Sequence, residues 1–346
     1  MYFARLDTVR CYAVLMVIFA HILSVWTWHD TTKYLFPLGN FGVVIFFVLS
    51  GFLITSLLLS ESNEKSIILS FKEFYIRRSL RIFPIYYAYL LVCYGANIGG
   101  AREYGVAPWL YMSNIYVFRN NSWMGEYSHL WTLGVEEQFY LIWPFLILFL
   151  RNKFRLLFVL LLGIIISSTI SRLMILNAEL SERQATVFPI SNFDFFAFGA
   201  LLALGKIRID SKLERWGHPA VLTGILLYYG SYWVLETKMF FVAKQFAMAI
   251  TASGLLAVAL FSKDKLSIFH NRVTMHLGKI SYGMYLYHNS IITHYPEIAR
   301  YIWIDNEGSV YVRAFLLIML IFLMSELSYL LIEKPILRFK DRFKTT

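Results

Sequence analysis

Charged side chains are scarce in this chain of 346 residues. They make up 16% of it, against about a quarter in a typical soluble domain, while 58% of the residues are hydrophobic and 18% aromatic. The apolar residues fall in runs of roughly 18 or more, the length that crosses a bilayer as a helix. This composition excludes a soluble globular protein and predicts an all-α, polytopic integral membrane protein.

Cysteine is nearly absent as well. Cys11 and Cys93 are the only two, and they fall in separate predicted spans. This excludes a disulfide framework and gives no metal-ligand spacing, so we expect neither a disulfide nor a bound metal. A small-residue cleavage site is also lacking after the first apolar run, where "SVWTWHD" follows. We therefore interpret that run as a retained helix and not as a signal peptide.

No loop is long enough to hold a second folded domain, and internal repeats and low-complexity segments are lacking too. We therefore predict a single transmembrane domain over residues 1–346, without a fused soluble domain. Segment 61–81 mixes apolar and basic residues at helical spacing, which predicts a helix on the cytoplasmic membrane surface. For the outer loop 99–129 we consider a re-entrant path, because its apolar middle is too short to span a membrane.

Ten apolar runs predict ten membrane-spanning helices. They lie near 8–28, 40–60, 82–98, 130–150, 155–176, 190–205, 217–236, 243–262, 277–294 and 311–332. With a cytoplasmic N-terminus, 23 of the 32 basic residues fall in inner segments and 9 outside, as the positive-inside rule requires. We therefore predict that both termini are cytoplasmic. The same distribution explains the net charge of +10 without a nucleic-acid partner.

Two ionisable residues of the first span, Arg10 and His21, are eleven positions apart. This spacing places both side chains on one helix face, about 16 Å apart along the axis, with Asp7 one turn from Arg10 as its partner. The position of Arg10 at the inner membrane boundary explains it equally well. An ionisable group such as His21 within a membrane usually marks a functional site, and histidine suits a base near neutral pH.

The fourth span opens with "HLWTLGVEEQFYLIWP", which places Glu136 and Glu137 near the predicted depth of His21. A carboxylate at that depth would orient the imidazole and stabilise its protonated form. Asp194 enters at a similar outer depth and is a second candidate partner. Because two adjacent glutamates do not both face one cavity, we favour Glu136.

Three arginines in "RRSLRIFP", namely Arg77, Arg78 and Arg81, lie at spacings that bring them to one helix face. Guanidinium groups suit phosphate oxygens, but basic residues beside a span also follow from the positive-inside rule. Both explanations stay open on spacing alone.

Two further spans carry small or polar residues. In "GVVIFFVLSGFLI", Gly42, Ser50 and Gly51 predict a close approach between helices. In "GKISYGMYLYHNSII", polar side chains recur at helical spacing and form either part of a site or a packed polar seam; they are Ser281, Tyr282, Tyr285 and His288.

Taken together, these motifs resemble the membrane-bound acyltransferase-3 family from residue 5 to about 339. The similar blocks are "RLDTVRCYAVLMVIFAH", "FGVVIFFVLSGFLI", "RRSLRIFP", "HLWTLGVEEQFYLIWP", "ISYGMYLYH" and the terminal "EKP", in that order. Thr132 stands where serine is usual in the family, which is a conservative departure.

The resemblance implies an O-acyltransferase of the bacterial inner membrane. Its donor is an acyl-CoA, commonly acetyl-CoA, which is a substrate and not a permanently bound cofactor, and which enters from the cytoplasm. The acceptor is a hydroxyl of a cell-envelope glycan or lipid-linked saccharide, such as lipopolysaccharide O-antigen or exopolysaccharide. The expected partners are therefore acyl-CoA, the glycan, membrane lipids and glycan-assembly proteins.

The resemblance also implies roles for individual residues. Arg10, Arg77, Arg78 and Arg81 would hold the phosphates of coenzyme A. His21 would be the base on the acceptor hydroxyl or the covalent acyl carrier, and Glu136 would support it, with Asp7 and Arg10 in the catalytic set. The acceptor-binding group would contain His129, Glu137, Asp194, Ser281, Tyr285 and His288.

Two other classes of function fit some of these features. Ten spans with buried charges also suit a transporter or flippase of a lipid-linked or acylated sugar, although such proteins often show inverted repeats and broken helices, which are not found here. A role as a scaffold protein in a glycan-assembly complex would not explain why the ionisable residue His21 lies within the membrane.

Overall fold

The computed structural model describes residues 4–25, 37–61, 65–209, 214–261, 271–301 and 310–339. Within these ranges all regular structure is helical, as predicted. The segment 26–36, which includes the residues used to argue against signal-peptide cleavage, lies outside the described residues. So do the predicted inner basic residues of 210–213, 262–270 and 340–346.

Fourteen α-helices follow one another along the described chain. They are α1 Ala4–Val25, α2 Leu38–Leu59, α3 Ile67–Gly95, α4 Ser113–Asn120, α5 Leu130–Leu150, α6 Phe154–Asn177, α7 Glu182–Val187, α8 Phe193–Ile209, α9 Glu214–Val234, α10 Thr237–Phe261, α11 Arg272–Lys279, α12 Ser281–Tyr301, α13 Val310–Ser328 and α14 Lys334–Phe339. Short 3₁₀ turns cover Ile98–Tyr104, Gly125–Tyr127 and Ile190–Asn192, and a π-helical turn over Tyr329–Glu333 joins α13 to α14.

A long helix is present at each of the ten predicted spans. Seven helices of the described ranges are long and apolar enough to cross a membrane, and eight if α3 and the 3₁₀ turn after it count as one broken span. The helices α9 and α12 fall short because they carry more polar residues. The protein is thus an all-α, multi-pass membrane protein, while the count of ten spans and the side of the termini stay predictions.

Helix α3 differs from its predicted division into a surface helix and a span. It runs unbroken over 29 residues from Ile67 to Gly95, and Pro84 lies inside it. The residues predicted as a separate helix therefore belong largely to the first half of one long helix. After Gly95 the chain bends by 99° into the 3₁₀ turn, where Gly99 and Gly100 adopt positive φ angles of 51° and 71°. Whether loop 99–129 dips into the membrane stays a prediction.

Helix α2 lies at the centre of the bundle. Its 18-residue apolar window is 72% buried, against 22% for α6 at the periphery, as expected for a helix that is apolar on all sides. A side chain on Gly42 would collide with the Ala13 carbonyl of α1, and one on Gly51 would collide with the Phe196 backbone of α8. The predicted close approach between helices is therefore confirmed at both glycines.

Helix α1 is held between α2 and the short helix α11. The backbone of Gly278 in α11 touches the backbone of Asp7 so closely that no Cβ would fit between them. At the same contact, the hydroxyls of Thr8 and Thr274 are 3.2 Å apart. This packing fixes the N-terminal end of α1, which carries Arg10. Both cysteines are free and buried.

Candidate active site

Five helices surround a cavity that we call the arginine cavity. Its charged lining consists of Arg10 from α1, Arg78 and Arg81 from α3, and Glu136 from α5. Ser50, Thr132, Tyr140, Ser281, Tyr282 and Tyr285 add hydroxyl groups, and apolar residues of α2 complete the wall. The cavity volume is about 80 Å³. With three guanidinium groups and one carboxylate, this space favours an anionic group.

The three arginines of the cavity are engaged to different degrees. Arg10 donates to the Asp7 carboxylate at 2.5 Å, which confirms the predicted pairing one helical turn apart. The guanidinium of Arg78 lies 4.8 Å from the centroid of the Tyr140 ring, in a cation–π contact. In the parts of the chain that the structure describes, no hydrogen bond or ion pair joins Arg78 or Arg81 to a protein carboxylate. Both therefore retain donors for a ligand.

Arg77 does not share this arrangement. It donates to Glu73 at 2.6 Å and lies 3.6 Å from Glu61, in an ion-pair cluster that also contains Lys65. The prediction that all three arginines of "RRSLRIFP" converge on one ligand is wrong for Arg77, because two carboxylates hold its guanidinium elsewhere. Arg78 and Arg81 do converge, together with Arg10 from α1.

Glu136 belongs to the arginine cavity. Its carboxylate accepts a hydrogen bond from the Ser50 hydroxyl at 2.7 Å, and the Tyr140 hydroxyl lies 3.3 Å from the same Ser50 oxygen. Its neighbour Glu137 interacts electrostatically with Arg78. Of the two glutamates, Glu136 is the one that lines the cavity.

A second, larger cavity of about 660 Å³ lies beyond the first, and we call it the histidine cavity. His21, His129 and the aromatic rings of Trp123, Trp131 and Tyr285 line it. Its polar lining is completed by Ser24, Asn40, Ser128 and Asn289. Aromatic surfaces with a few convergent amide and hydroxyl groups are typical of a small-molecule site.

His21 is oriented by its own helix. Its Nδ1 lies 2.9 Å from the Val17 carbonyl oxygen. Because a carbonyl only accepts hydrogen bonds, the neutral ring carries its proton on Nδ1 and a lone pair on Nε2. This tautomer suits a base or a nucleophile in the cavity that His21 lines.

Two more imidazoles lie behind His21. The centroid of His288 is 4.9 Å from that of His21 and 5.0 Å from that of His129. At about 5 Å, two protonated rings would repel by roughly 3 kcal/mol at an effective dielectric constant near 20. The row of three therefore favours a single proton at a time.

His129 and His288 differ in their partners. Both nitrogens of His129 lie 3.0 Å from carbonyl oxygens, those of Glu126 and Leu286, so this ring links α5 to α12. His288 uses Nδ1 for the Tyr285 carbonyl at 2.6 Å. Its Nε2 is buried without a hydrogen-bond partner among the described residues.

Tyr285 lies where the two cavities meet, since it and Val43 line both. Its hydroxyl is 2.7 Å from Thr132 Oγ1. Thr132 already donates to the His129 carbonyl at 2.9 Å, so Tyr285 donates to Thr132. Ser281, one turn earlier on α12, donates to the Gly278 carbonyl and lines only the arginine cavity.

Two predicted partners of His21 lie elsewhere. Glu136 lines the arginine cavity and His21 the histidine cavity, and no hydrogen bond or ion pair among the described residues joins the two side chains. His129, seven residues or about 10 Å before Glu136 on the chain, is at the level of His21. Asp194 is fully buried, accepts two hydrogen bonds of 2.7 Å from Arg172 and lines neither cavity.

Several residues of the site were not found from the sequence. Arg172, in "ISRLM", is an intramembrane charge and carried a usable signal, but it pairs with Asp194 and lines neither cavity. Glu333, on the π-helical turn, interacts electrostatically with Arg81, and in the sequence it was recognised only as part of the terminal "EKP" block. Trp123 and Asn289 had no signal, because nothing in their spacing separates them from ordinary loop or helix residues.

The described chain is thus a multi-pass membrane protein in which a cationic cavity and a histidine-lined cavity meet, an arrangement suited to group transfer between two substrates. A family model described as an acyltransferase domain matches residues 3–331. The chain belongs to the acyltransferase-3 family.

Curated relatives agree with this assignment. Over 365 aligned positions the chain is 30% identical to the peptidoglycan O-acetyltransferase OatA of Listeria monocytogenes, covering 97% of this chain and 56% of that protein. It is 29% identical to YrhL of Bacillus subtilis, provisionally named a peptidoglycan O-acetyltransferase, over 97% and 55% of the two chains. A provisionally named O-acetyltransferase of Staphylococcus aureus is 28% identical, over 96% and 57%. The chain therefore spans little more than half the length of these relatives. No solved structure matches the chain.

Proposed function

We propose that this protein transfers an acyl group, most simply acetyl, from acyl-CoA to a hydroxyl of a cell-envelope glycan. One observation carries the proposal: a cavity with three guanidinium groups and a cavity with His21 meet at Val43 and Tyr285. Two substrates that enter from opposite ends would meet at that junction. The relatives named O-acetyltransferases supply O-acetyl transfer, with peptidoglycan as one acceptor, as the model for this chain.

The arginine cavity is the proposed donor site. Arg78 and Arg81, with Arg10, offer guanidinium donors that match the phosphate oxygens of coenzyme A. About 80 Å³ is far smaller than the coenzyme, so the phosphates would lie against the arginines, with the adenosine outside the cavity and the thioester arm directed toward the histidine cavity. In the topology predicted by the positive-inside rule, Arg10 is at the cytoplasmic end of α1. The donor would then come from the cytoplasm, and the protein would lie in the cytoplasmic membrane of a bacterium.

The proposed chemistry follows from the tautomer of His21. Its Nε2 would remove the proton of the acceptor hydroxyl while the oxygen bonds to the thioester carbonyl carbon. The carbon–sulfur bond then breaks, and the thiolate takes the proton back from His21. The products are the glycan ester and free coenzyme A. Glu136, bound to Ser50, would act on the donor side by balancing the arginine charges.

The test replaces His21 by alanine in the full chain and measures transfer of labelled acetyl from acetyl-CoA to envelope glycan in membranes. We expect a loss of at least 100-fold, since general base catalysis contributes about 10²–10⁴. His218→Ala, at an exposed position of α9, is the matched control and should leave the rate unchanged. Undiminished transfer by His21→Ala would refute the mechanism. A protein that moves glycan without consuming acetyl-CoA would instead be a transporter.

A further inference from the structure

Trp123 is unusual among the large apolar residues of the chain. It lies in the connection between α4 and the 3₁₀ turn Gly125–Tyr127, where it lines the histidine cavity. Its side chain is nevertheless 41% exposed. An indole that remains open in a cavity with polar groups costs hydrophobic free energy, which a ligand would recover by covering it.

The backbone beside Trp123 is held by the neighbouring helix α7. Arg183 places its guanidinium 5.3 Å from the indole centroid and donates to the carbonyl of Asn121. Ser181 donates to the Asn121 side chain at 2.5 Å. Asn121 has the left-handed φ of 46° that turns the chain toward Trp123. The indole is therefore clamped by contacts that cover one of its faces.

The residues that contact Trp123 and Asn121 are themselves held in place by further hydrogen bonds. Ser181 caps α7 in a capping box with Gln184, and Gln184 donates to the Phe118 carbonyl of α4 at 2.9 Å. The contacts of Arg183, Ser181 and Gln184 thus fix both sides of the turn before Trp123. A side chain fixed in this way loses little conformational entropy when a ligand binds.

We propose that Trp123 is a stacking platform for a pyranose ring of the acceptor, and that Arg183 is the positioning residue that holds it. The guanidinium covers one face of the indole and leaves the opposite face for the apolar C–H face of a sugar. Sugar hydroxyls would then lie among the polar groups of the same cavity, such as Ser128, Asn289 and His21. This assignment names the acceptor chemistry of the transfer reaction and rests on the proposed function.

Tryptophan also occurs at membrane surfaces as an anchor, and the chain offers a residue for comparison. Trp233, near the end of α9, is 81% exposed, which is the position expected of such an anchor. Trp123 differs because it lines a cavity and is stacked on an arginine. Trp233→Ala is therefore a matched control for Trp123→Ala.

The experiment uses the full chain in detergent micelles, with chitotetraose and maltotetraose as probes. Binding is measured by saturation-transfer NMR and calorimetry, and transfer with labelled acetyl-CoA. Trp123→Ala should raise the sugar's Kd and KM about tenfold, as expected for loss of an aromatic contact. The KM for acetyl-CoA and kcat should stay unchanged. Arg183→Ala should raise the sugar KM severalfold, and Trp123→Phe should retain most of the affinity.

The outcomes separate this assignment from the proposed function. If the wild type binds a sugar and Trp123→Ala does not, the platform is supported even when no acetyl is transferred, and only the proposed function fails. The platform is refuted if neither sugar binds the wild type, if Trp123→Ala binds as the wild type does, or if Trp233→Ala weakens binding equally. Thermal unfolding of each variant checks its fold. If Trp123→Ala does not fold, Trp123→Leu, which keeps an apolar side chain without an aromatic face, takes its place and should weaken sugar binding equally.

Discussion

The close backbone contact between Gly278 and Asp7 predicts that a larger residue at position 278 would disturb the donor site. A Cβ on Gly278 would overlap the Asp7 carbonyl oxygen, and the other nearest atoms are also Asp7 backbone. Rotation of a side chain therefore cannot relieve the clash. To restore ordinary van der Waals contact, α11 and the N-terminal end of α1 must separate by on the order of 1–2 Å. Arg10 lies one turn further along α1 and is paired with Asp7, so it would move with that end.

Gly278→Ala should consequently lower kcat/KM for acetyl-CoA about 100-fold, the scale associated with a misplacement of about 1 Å at a reacting group. The melting temperature should also fall, because overpacking costs about 1–3 kcal/mol. The assay is acetyl transfer by the purified full chain across a range of acetyl-CoA concentrations, together with thermal unfolding in the same detergent.

Gly283→Ala is the matched control. Gly283 is also helical, but a Cβ there would lie 3.4 Å from Ser325 Cβ, in ordinary contact. Both substitutions raise helix propensity by roughly the same 0.5–1 kcal/mol, so a difference between them isolates the steric clash. Equal activity of the two variants would refute the view that this backbone contact positions the arginine cavity.

Two further predictions concern charged residues. Arg78→Gln and Arg81→Gln should each raise the Kd for acetyl-CoA about tenfold, since a hydrogen bond to a charged group contributes about 1.5–3 kcal/mol. Arg77→Gln should change it little in the same calorimetric titration, and an equal effect at Arg77 would contradict the geometry. Arg172→Met should destabilise the protein by about 3–5 kcal/mol, because it leaves the Asp194 carboxylate buried without its partner. Unfolding curves in detergent should show this loss and its partial recovery in the double variant with Asp194→Asn, and a single variant as stable as the wild type would exclude a structural role for the pair.

The local features of the chain followed from its sequence. The hydropathy of a segment depends only on its own residues, so the positions of the long apolar helices could be predicted from the sequence. The spacing of Arg10 and His21 depends only on helix geometry, and both lie on α1, at two cavities that meet. Gly42 and Gly51 also indicated close helix contacts correctly, because a residue without a side chain lets two helix backbones approach each other.

The partners of charged groups were decided by the tertiary structure. Depth along a helix does not fix which neighbour a side chain faces, so Glu136 was assigned to His21 although Ser50 from α2 holds it in the arginine cavity. Asp194 and Arg172 are 22 residues apart, and only the packing of α6 against α8 brings them together.

The sequence by itself thus determined that this is a multi-pass helical protein with ionisable groups at two levels of its first helix. The tertiary structure decided which groups share a cavity. His21 has His288 from α12 as its neighbour, and Arg78 has Tyr140 from α5. These contacts join segments that are far apart in the chain. They depend on the rotation and tilt of each helix, which are determined by the packing of the whole bundle.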